Sequence, residues 1–211
     1  MKLLAATRNA GKQREIRRVL SPAGLEIVFP DDVWLRELSE DDALEAAESF
    51  EGNARRKADY FARLSSLPTF ADDSGLEVFA LGGAPGVRSK RWAGASGSDA
   101  EIDAANNAEL LRRLSGAPES RRLARYRCVL VYLKSPSAIP IICQGDCTGR
   151  ILEAPRGTGG FGYDPLFFSD ELGKTFGEST AEEKDGVSHR GRALRALAQA
   201  LTNEASPNQN S

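Results

Sequence analysis

The sequence contains few of the residues that build disulfide frameworks and histidine-rich metal sites. It has three cysteines and one histidine among its 211 residues. An odd number of cysteines without a CxxC pair argues against a disulfide framework or a structural zinc site, and favours a reducing compartment. A single histidine excludes a metal site built from several histidines. Zinc and redox functions therefore have no residues to support them.

The chain also lacks a long apolar run and an excess of positive charge. The apolar start, Met1 to Ala6, is too short for a signal peptide or a membrane span, so we expect a cytoplasmic protein without a membrane partner. A net charge of −2 and a pI near 5.6 argue against binding to a nucleic-acid polymer. A few well-placed lysines and arginines still suffice for a small anionic ligand.

Apolar periodicity predicts an α/β fold on a mixed sheet, because helical segments are interspersed with strands and one long hairpin. A chain of 211 residues with 41% hydrophobic content fits one large domain or two small lobes. We expect a domain over residues 1–203 and a polar, disordered tail over 204–211. The predicted strands are 2–6, 25–29, 69–71, 76–81, 123–134 and 138–148. The predicted helices are 12–20, 44–64, 98–114 and 188–201.

A short polar turn after the first predicted strand has the character of an anion-binding site. It consists of Thr7, Arg8, Asn9, Ala10, Gly11 and Lys12. Backbone N–H groups at a helix N-terminus attract anions, and Lys12 adds a full positive charge there. The segment is not a Walker A motif, since Gln13 follows the lysine. The alternative is an ordinary turn with a solvated lysine.

Two further segments carry polar groups of interest. In the segment from Phe50 to Ala58, Asn53 and Lys57 are four residues apart and share one helix face, although a plain polar surface is the alternative. In Asp72-Asp73-Ser74-Gly75, a carboxylate at a strand end could hold Mg²⁺ or accept a proton from water. The alternative there is a charged turn.

The C-terminal half contains a glycine-rich loop at residues 157–165 and one histidine. The loop contains a formal GxGxxG, but no strand precedes it and no helix follows it, which excludes a dinucleotide fingerprint. We interpret it as a loop that presents Phe161 and Tyr163 for stacking on a base. His189 and Arg190 stand at a predicted helix start, where a lone histidine more often has a structural role. Arg190 opposes the helix dipole there, which modestly favours a functional role.

These segments, in this order, resemble the inosine triphosphate pyrophosphatase family, also called dITP/XTP pyrophosphatases. The resemblance extends from about Leu3 to Leu201. It is carried by residues 6–12, 50–58, 71–76, 82–87, 159–165 and 188–191. Each motif alone is weak evidence for the family, but all six in the same order are specific. The resemblance implies a long mixed twisted sheet with flanking helices that form two lobes around a central cleft, in a homodimer.

The resemblance also implies roles for individual residues. Asp73 matches the proton acceptor and magnesium ligand. The triphosphate-binding positions correspond to Thr7, Arg8, Asn9, Ala10, Gly11, Lys12, Lys57 and Lys184, and Asn53 and Ser74 match substrate contacts. The base pocket corresponds to Phe161, Gly162, Tyr163, Asp164, His189 and Arg190. The expected chemistry is Mg²⁺-dependent hydrolysis of ITP, dITP or XTP to a nucleoside monophosphate and pyrophosphate.

Two departures from the family pattern bear on the site. Arg8 stands where many members carry glycine or serine, and could add a phosphate contact or narrow the loop. An acidic metal ligand is expected before Phe50, and Glu45 is the candidate. Two alternatives stay open: a triphosphate pyrophosphatase of other base specificity, and a non-catalytic nucleotide-binding regulator.

Overall fold

The computed structural model describes residues 1–36 and 44–205 of the chain, and it contains seven strands and five α-helices within these ranges. The strands are β1 (Lys2–Ala5), β2 (Glu26–Val28), β3 (Thr69–Val78), β4 (Leu123–Leu133), β5 (Ile141–Ile151), β6 (Phe167–Ser169) and β7 (Lys174–Thr175). The helices are α1 (Ala10–Leu20), α2 (Phe50–Ser65), α3 (Asp99–Arg113), α4 (Ala181–Val187) and α5 (His189–Ala205).

The strands form one mixed sheet in the order β2-β1-β3-β4-β5-β6-β7. Strand β1 pairs in parallel with both β2 and β3, and Leu4 lies opposite Thr69 in the second pairing. At the other end of the sheet, β5, β6 and β7 pair antiparallel. The predicted α/β class with a long mixed sheet is therefore confirmed.

The chain divides into two compact units. The first comprises Met1–Asp73, Cys128–Gly145 and Arg190–Ser211, and the second comprises Ser74–Arg127 and Asp146–His189. The boundaries fall within β3, β4 and β5, and between His189 and Arg190. Among the described residues, no helix is both long and apolar enough to cross a membrane.

The first unit has a hydrophobic core on each face of its strands. Alternate residues of β1 point to opposite faces, so Leu3 belongs to one core and Leu4 to the other. The Leu3 core includes apolar residues of α1 and α5, and the Leu4 core includes the alanines of α2. Burial on both faces explains why the first strand is an uninterrupted apolar run.

The second unit has one core, in which α3 packs on the strands. Leu110 and Leu114 are fully buried beside Phe167 and Phe176. The start of α3 has the capping box predicted from Ser98 and Glu101: the Ser98 hydroxyl accepts the Glu101 N–H, and the Glu101 carboxylate accepts the Ser98 N–H. This helix is therefore fixed at its N-terminus by the capping box and near its C-terminus by the buried leucines.

Several predicted boundaries are corrected by the structure. Helix α2 starts at Phe50 rather than at residue 44, because the Ser49 hydroxyl caps it by accepting the Gly52 N–H. The charged turn considered at Asp73 does not exist, since β3 continues from Thr69 to Val78. Helix α5 runs to Ala205 and thus includes part of the predicted tail. Residues 206–211 lie outside the described residues.

Candidate active site

The turn after β1 leads directly into the N-terminus of α1. Asn9 is the N-cap, and its side-chain oxygen accepts the Lys12 N–H at 2.9 Å. The Thr7 hydroxyl accepts the Asn9 N–H, and the Gln13 amide donates to the Thr7 carbonyl. These bonds order the turn around the first helical residues, whose N–H groups have no partner within the helix.

Arg8 points toward a neighbouring segment of the first unit. Its guanidinium forms an ion pair with Asp31 and donates to the Leu35 carbonyl at 2.8 Å. It also lies 6.0 Å from the centre of the Phe61 ring. Arg8 thus ties the polar turn to the Asp31–Leu35 region, so a phosphate contact would have to compete with these partners.

Asp72 and Asp73 lie in the middle of β3, and each contacts different partners. Successive side chains of a strand point to opposite faces. Asp72 contacts Lys12 and Arg190, whereas Asp73 contacts Asn53 and Lys57 of α2. The two adjacent carboxylates therefore belong to two separate polar clusters within the first unit.

The Asp72 cluster is a buried network of opposite charges. The Asp72 carboxylate lies 3.1 Å from the Lys12 ammonium and accepts the Arg190 Nε–H at 3.1 Å. Arg190 also forms an ion pair with Glu15, and the Cys128 thiol lies 3.9 Å from Asp72. Glu15, Asp72 and Arg190 are each at most 4% exposed. In this structure, the Arg190 guanidinium, predicted to read the base, holds two buried carboxylates.

The Asp73 cluster gathers the predicted metal and phosphate residues of the first unit. The Asn53 amide donates to Asp73 at 2.9 Å, and the Lys57 ammonium lies 3.6 Å from the same carboxylate. Lys57 also donates to Glu45 at 2.9 Å. The Asn53 side-chain oxygen accepts the Ala47 N–H, which ties the segment before α2 to this cluster.

The pKa values of the two carboxyls shift in opposite directions. Burial by itself would raise the pKa of Asp72, but Lys12, Arg190 and Lys57 together hold that pKa far below its usual range. Burial raises the pKa of Asp73, and its neighbours Lys57, Lys12 and Asn53 do not cancel that effect. A raised pKa suits the proton-accepting role predicted for Asp73, and that role stays a prediction.

In the second unit, the glycine-rich loop surrounds a buried ion pair. Lys184 of α4 lies 2.5 Å from the Asp164 carboxylate, and both side chains are at most 5% exposed. The same carboxylate accepts the Phe161 N–H at 2.8 Å. The Lys184 ammonium also lies 4.7 Å from the centre of the Phe161 ring. Phe161 as a whole is half-buried.

The expectation that this loop presents Tyr163 is wrong. Tyr163 is 3% exposed, and its ring belongs to the core of the second unit. Its hydroxyl donates to the Ser89 carbonyl at 2.8 Å. The aromatic ring thus anchors the loop, because its apolar body is buried and its polar end has a partner.

His189 and Arg190 are consecutive residues that belong to different units. His189 is 4% exposed and stacks on Tyr126, with ring centres 4.6 Å apart and planes 6° from parallel. Ser74, the other predicted substrate contact near this boundary, is half-buried in β3. The site roles predicted for His189, Arg190 and Ser74 stay predictions.

Comparison with known proteins decides the family. The family model described as Ham1 family matches residues 3–200. The chain belongs to the Ham1 family. This match includes every candidate site residue from Thr7 to Arg190, and it confirms the resemblance predicted from the motifs.

Relatives with close sequences carry one name. The dITP/XTP pyrophosphatase of Shigella flexneri is 48% identical over 203 residues, which are 96% of this chain and 98% of the relative. The dITP/XTP pyrophosphatase of Escherichia coli (strain K12) is 46% identical over the same length and shares. Both of these relatives are thus named as dITP/XTP pyrophosphatases.

Solved structures agree with the family assignment. The HAM1 protein from Coxiella burnetii matches with a TM-score of 0.83 and 34% identity, covering 96% of this chain and 99% of that one. The nucleoside-triphosphatase / dITP/XTP pyrophosphatase from Mycobacterium abscessus matches with a TM-score of 0.70 and 43% identity, covering 93% and 98%.

Some residues of this Ham1 chain contact the predicted site residues but were not themselves predicted from the sequence. Glu15 was missed although it lies near Ile16 and Leu20, where a buried charge in α1 is unusual. Tyr126, which stacks on His189, gave no signal because it reads as a plain strand residue. Asp103 and Asn107 of α3 also gave none, since their partner is a backbone group distant in sequence.

Proposed function

We propose that this chain hydrolyses nonstandard purine nucleoside triphosphates, namely dITP, ITP and XTP, to the nucleoside monophosphate and pyrophosphate. This reaction would remove such nucleotides from the pool available for nucleic-acid synthesis. One observation carries the proposal: in a chain 48% identical to a dITP/XTP pyrophosphatase, a buried carboxylate of raised pKa lies against an amide and a lysine.

Asp73 is the proposed base. Its carboxylate orients a water molecule and takes one proton from it, while the water oxygen forms a bond to the α-phosphorus. The bond between the α-phosphorus and the bridging oxygen breaks, and pyrophosphate leaves with the electron pair. Asn53 holds the Asp73 side chain from one side, so the carboxylate is fixed before substrate arrives.

Mg²⁺ is the proposed cofactor, with Asp73 and Glu45 as its protein ligands. Both carboxylates already approach one cation in the structure, since the Lys57 ammonium lies 2.9 Å from Glu45 and 3.6 Å from Asp73. Magnesium prefers such oxygen ligands and keeps several waters, so two carboxylates suffice. When bound, the ion would neutralise charge on the phosphate oxygens. Among the described residues, no group of three or more acidic, histidine or cysteine side chains surrounds a metal-sized site.

The polar turn and two lysines form the proposed triphosphate contacts of the first unit. Lys12 and Lys57 each already contact a carboxylate, which fixes their ammonium groups in place. The N–H groups of Ala10 and Gly11, in the first turn of α1, would add uncharged donors to phosphate oxygens. Positioning and charge stabilisation of this kind supply most of the rate in phosphoryl transfer.

Most of the proposed base contacts lie in the second unit, and Arg190 belongs to the first. Phe161 would stack on the base, which adds affinity without choice among bases. Lys184 was predicted at the triphosphate, but its contacts with Asp164 and the Phe161 ring favour a role beside the base. His189 and Arg190 complete the proposed set. The homodimer and the cytoplasmic location expected from the family are part of the same proposal, and sedimentation of the purified chain tests the former.

A panel of nucleoside triphosphates tests the proposal. We expect dITP, ITP and XTP to give the monophosphate and pyrophosphate in equal amounts with Mg²⁺, and ATP, GTP and the pyrimidine triphosphates to react far more slowly. Preference for an ordinary nucleotide would favour an enzyme of other base specificity. Tight binding without turnover would favour a non-catalytic regulator. Release of orthophosphate with the diphosphate as first product would refute attack at the α-phosphorus.

A further inference from the structure

One face of α3 holds the glycine-rich loop at a single residue. Asp103 and Asn107 are four residues apart, so their side chains lie on the same helix face. The Asp103 carboxylate accepts the Gly162 N–H at 2.7 Å, and the Asn107 amide donates to the Gly162 carbonyl at 2.9 Å. Both polar groups of one backbone residue are thus bonded to one helix.

The backbone conformation of Gly162 explains why these two hydrogen bonds matter. Its φ is +63°, in the left-handed region that disfavours side chains. A Cβ at this position would meet no atom within 4 Å, so glycine is needed for the backbone angle and not for space. Because the backbone turns here, the hydrogen bonds from α3 help to fix the direction in which the side chain of the preceding residue, Phe161, points.

Phe161 is consequently held on both sides. Its own N–H donates to Asp164, and the next residue is bonded to α3. The helix is itself a firm support, because Leu110 and Leu114 anchor it in the core of the second unit. An aromatic ring on a fixed backbone binds a flat ligand without losing the freedom of a mobile loop.

The second oxygen of Asp103 has a different partner. It lies 3.2 Å from the Lys90 ammonium, which also contacts Asp99. Asn106 of the same helix bonds the Lys90 carbonyl and the Ala93 N–H, so this neighbouring residue holds a different segment, which includes the 3-10 helix Gly86–Arg91. One oxygen of Asp103 thus forms an ion pair with Lys90, while the other accepts a hydrogen bond from Gly162.

We propose that Asp103 and Asn107 are positioning residues that preset the Phe161 ring for stacking on the purine base. The inference rests on the proposed function, because it assumes that Phe161 meets the base. It adds a specific role for α3. Loss of the hydrogen bonds from α3 to Gly162 should weaken binding of substrate and transition state alike. This raises KM and leaves kcat nearly unchanged.

Four substitutions separate this role from a general loss of stability. Asn107→Asp keeps the shape but turns an acceptor toward the Gly162 carbonyl, so it should raise KM for dITP more than Asn107→Ala. Asp103→Asn can still accept the Gly162 N–H and loses only the charge that pairs with Lys90. It should therefore raise KM less than Asp103→Ala. Each lost bond should raise KM roughly threefold to tenfold.

The decisive measurement combines these changes with Phe161→Ala, which alone should raise KM about tenfold or more. If the hydrogen bonds from α3 act through the Phe161 ring, Asn107→Asp should raise KM hardly at all in the Phe161→Ala background. Asn106→Ala is the matched control: it removes two bonds from α3 to another segment, so its effect should multiply fully with that of Phe161→Ala.

The outcomes separate the two proposals. An active wild type, with a KM effect of Asn107→Asp that disappears in the Phe161→Ala background, supports the inference. An active wild type with fully multiplicative effects overturns it and leaves the proposed function standing. A wild type that hydrolyses none of the triphosphates overturns the proposed function and the inference together.

Discussion

Two isosteric substitutions one residue apart should have opposite consequences. Asp73→Asn and Asp72→Asn each replace a carboxylate of β3 by an amide of the same shape. The two side chains belong to different clusters, one beside Asn53 and Lys57 and the other beside Lys12 and Arg190. We therefore expect the first change to remove activity and the second to remove stability.

For Asp73→Asn, the loss of a base should lower kcat by roughly 10²-fold or more. The folded state should change little, because an asparagine oxygen can still accept the Asn53 amide and Lys57 keeps its contact with Glu45. Burial raises the pKa of Asp73, which means that the folded protein disfavours its charged form. Replacing that charge should alter the free energy of unfolding by only about 1 kcal/mol.

For Asp72→Asn, both Lys12 and the buried guanidinium of Arg190 lose a charged partner. The pKa of Asp72 is held far below its usual range, which means that the folded protein favours this charge, in contrast to that of Asp73. Asp72 and Arg190 are both 2% exposed, so water cannot compensate. Breaking a buried ion pair from one side costs about 3–5 kcal/mol. A chain of this size loses roughly 2–4 °C of melting temperature per kcal/mol, so Tm should fall by about 10 °C.

The assay measures pyrophosphate release from dITP and thermal unfolding by circular dichroism for both variants and the wild type. Turnover should be measured well below the lower melting temperature, so that unfolding does not mimic a catalytic loss. Wild-type turnover by Asp73→Asn would reassign the base. An unchanged Tm of Asp72→Asn would show that the buried network contributes nothing to stability, and the reasoning from burial would fail.

Three further predictions follow from the same contacts. EDTA should abolish dITP hydrolysis and added Mg²⁺ should restore it, while Glu45→Gln should raise the Mg²⁺ concentration needed for half-maximal rate; full activity in EDTA would exclude a metal. Arg190→Ala removes the buried cation that contacts both Glu15 and Asp72, and should destabilise the fold by about 3–5 kcal/mol. It should also lower the ratio of ITP to ATP turnover, and an unchanged ratio would assign it a structural role alone. Burial, followed by the charge of Asp72, raises the pKa of the Cys128 thiol, so iodoacetamide at pH 8 should leave it unmodified in the folded protein by mass spectrometry.

Local patterns in the sequence determined much of the secondary structure. The capping box at Ser98 and Glu101 predicted the start of α3, because both partners lie within one turn of chain. The apolar run after Met1 predicted β1. By contrast, β6, β7 and α4 were not predicted, because they are short and their stability comes from pairing and packing with distant residues.

The candidate site was predicted as a set of residues rather than as a set of contacts. Motif order predicted roles for Asp73, Lys57 and Lys12, since each lies in a short motif that carries the family resemblance, and these roles stay predictions. It did not identify Glu15, whose partner Arg190 is 175 residues away in the chain. It also assigned Tyr163 to an exposed face, because aromatic residues beside glycines look alike whether the ring is buried or accessible.

The sequence by itself determined the family, the fold class and the residue types available for chemistry. Only the tertiary structure decided that the pKa values of the two adjacent aspartates shift in opposite directions. That difference depends on burial and on which cations surround each carboxylate. Those cations come from α1, α2 and α5, so their arrangement exists only after these helices pack on β3. Local sequence cannot encode such a pKa difference, because the electrostatic field at each carboxylate is a sum over distant parts of the chain.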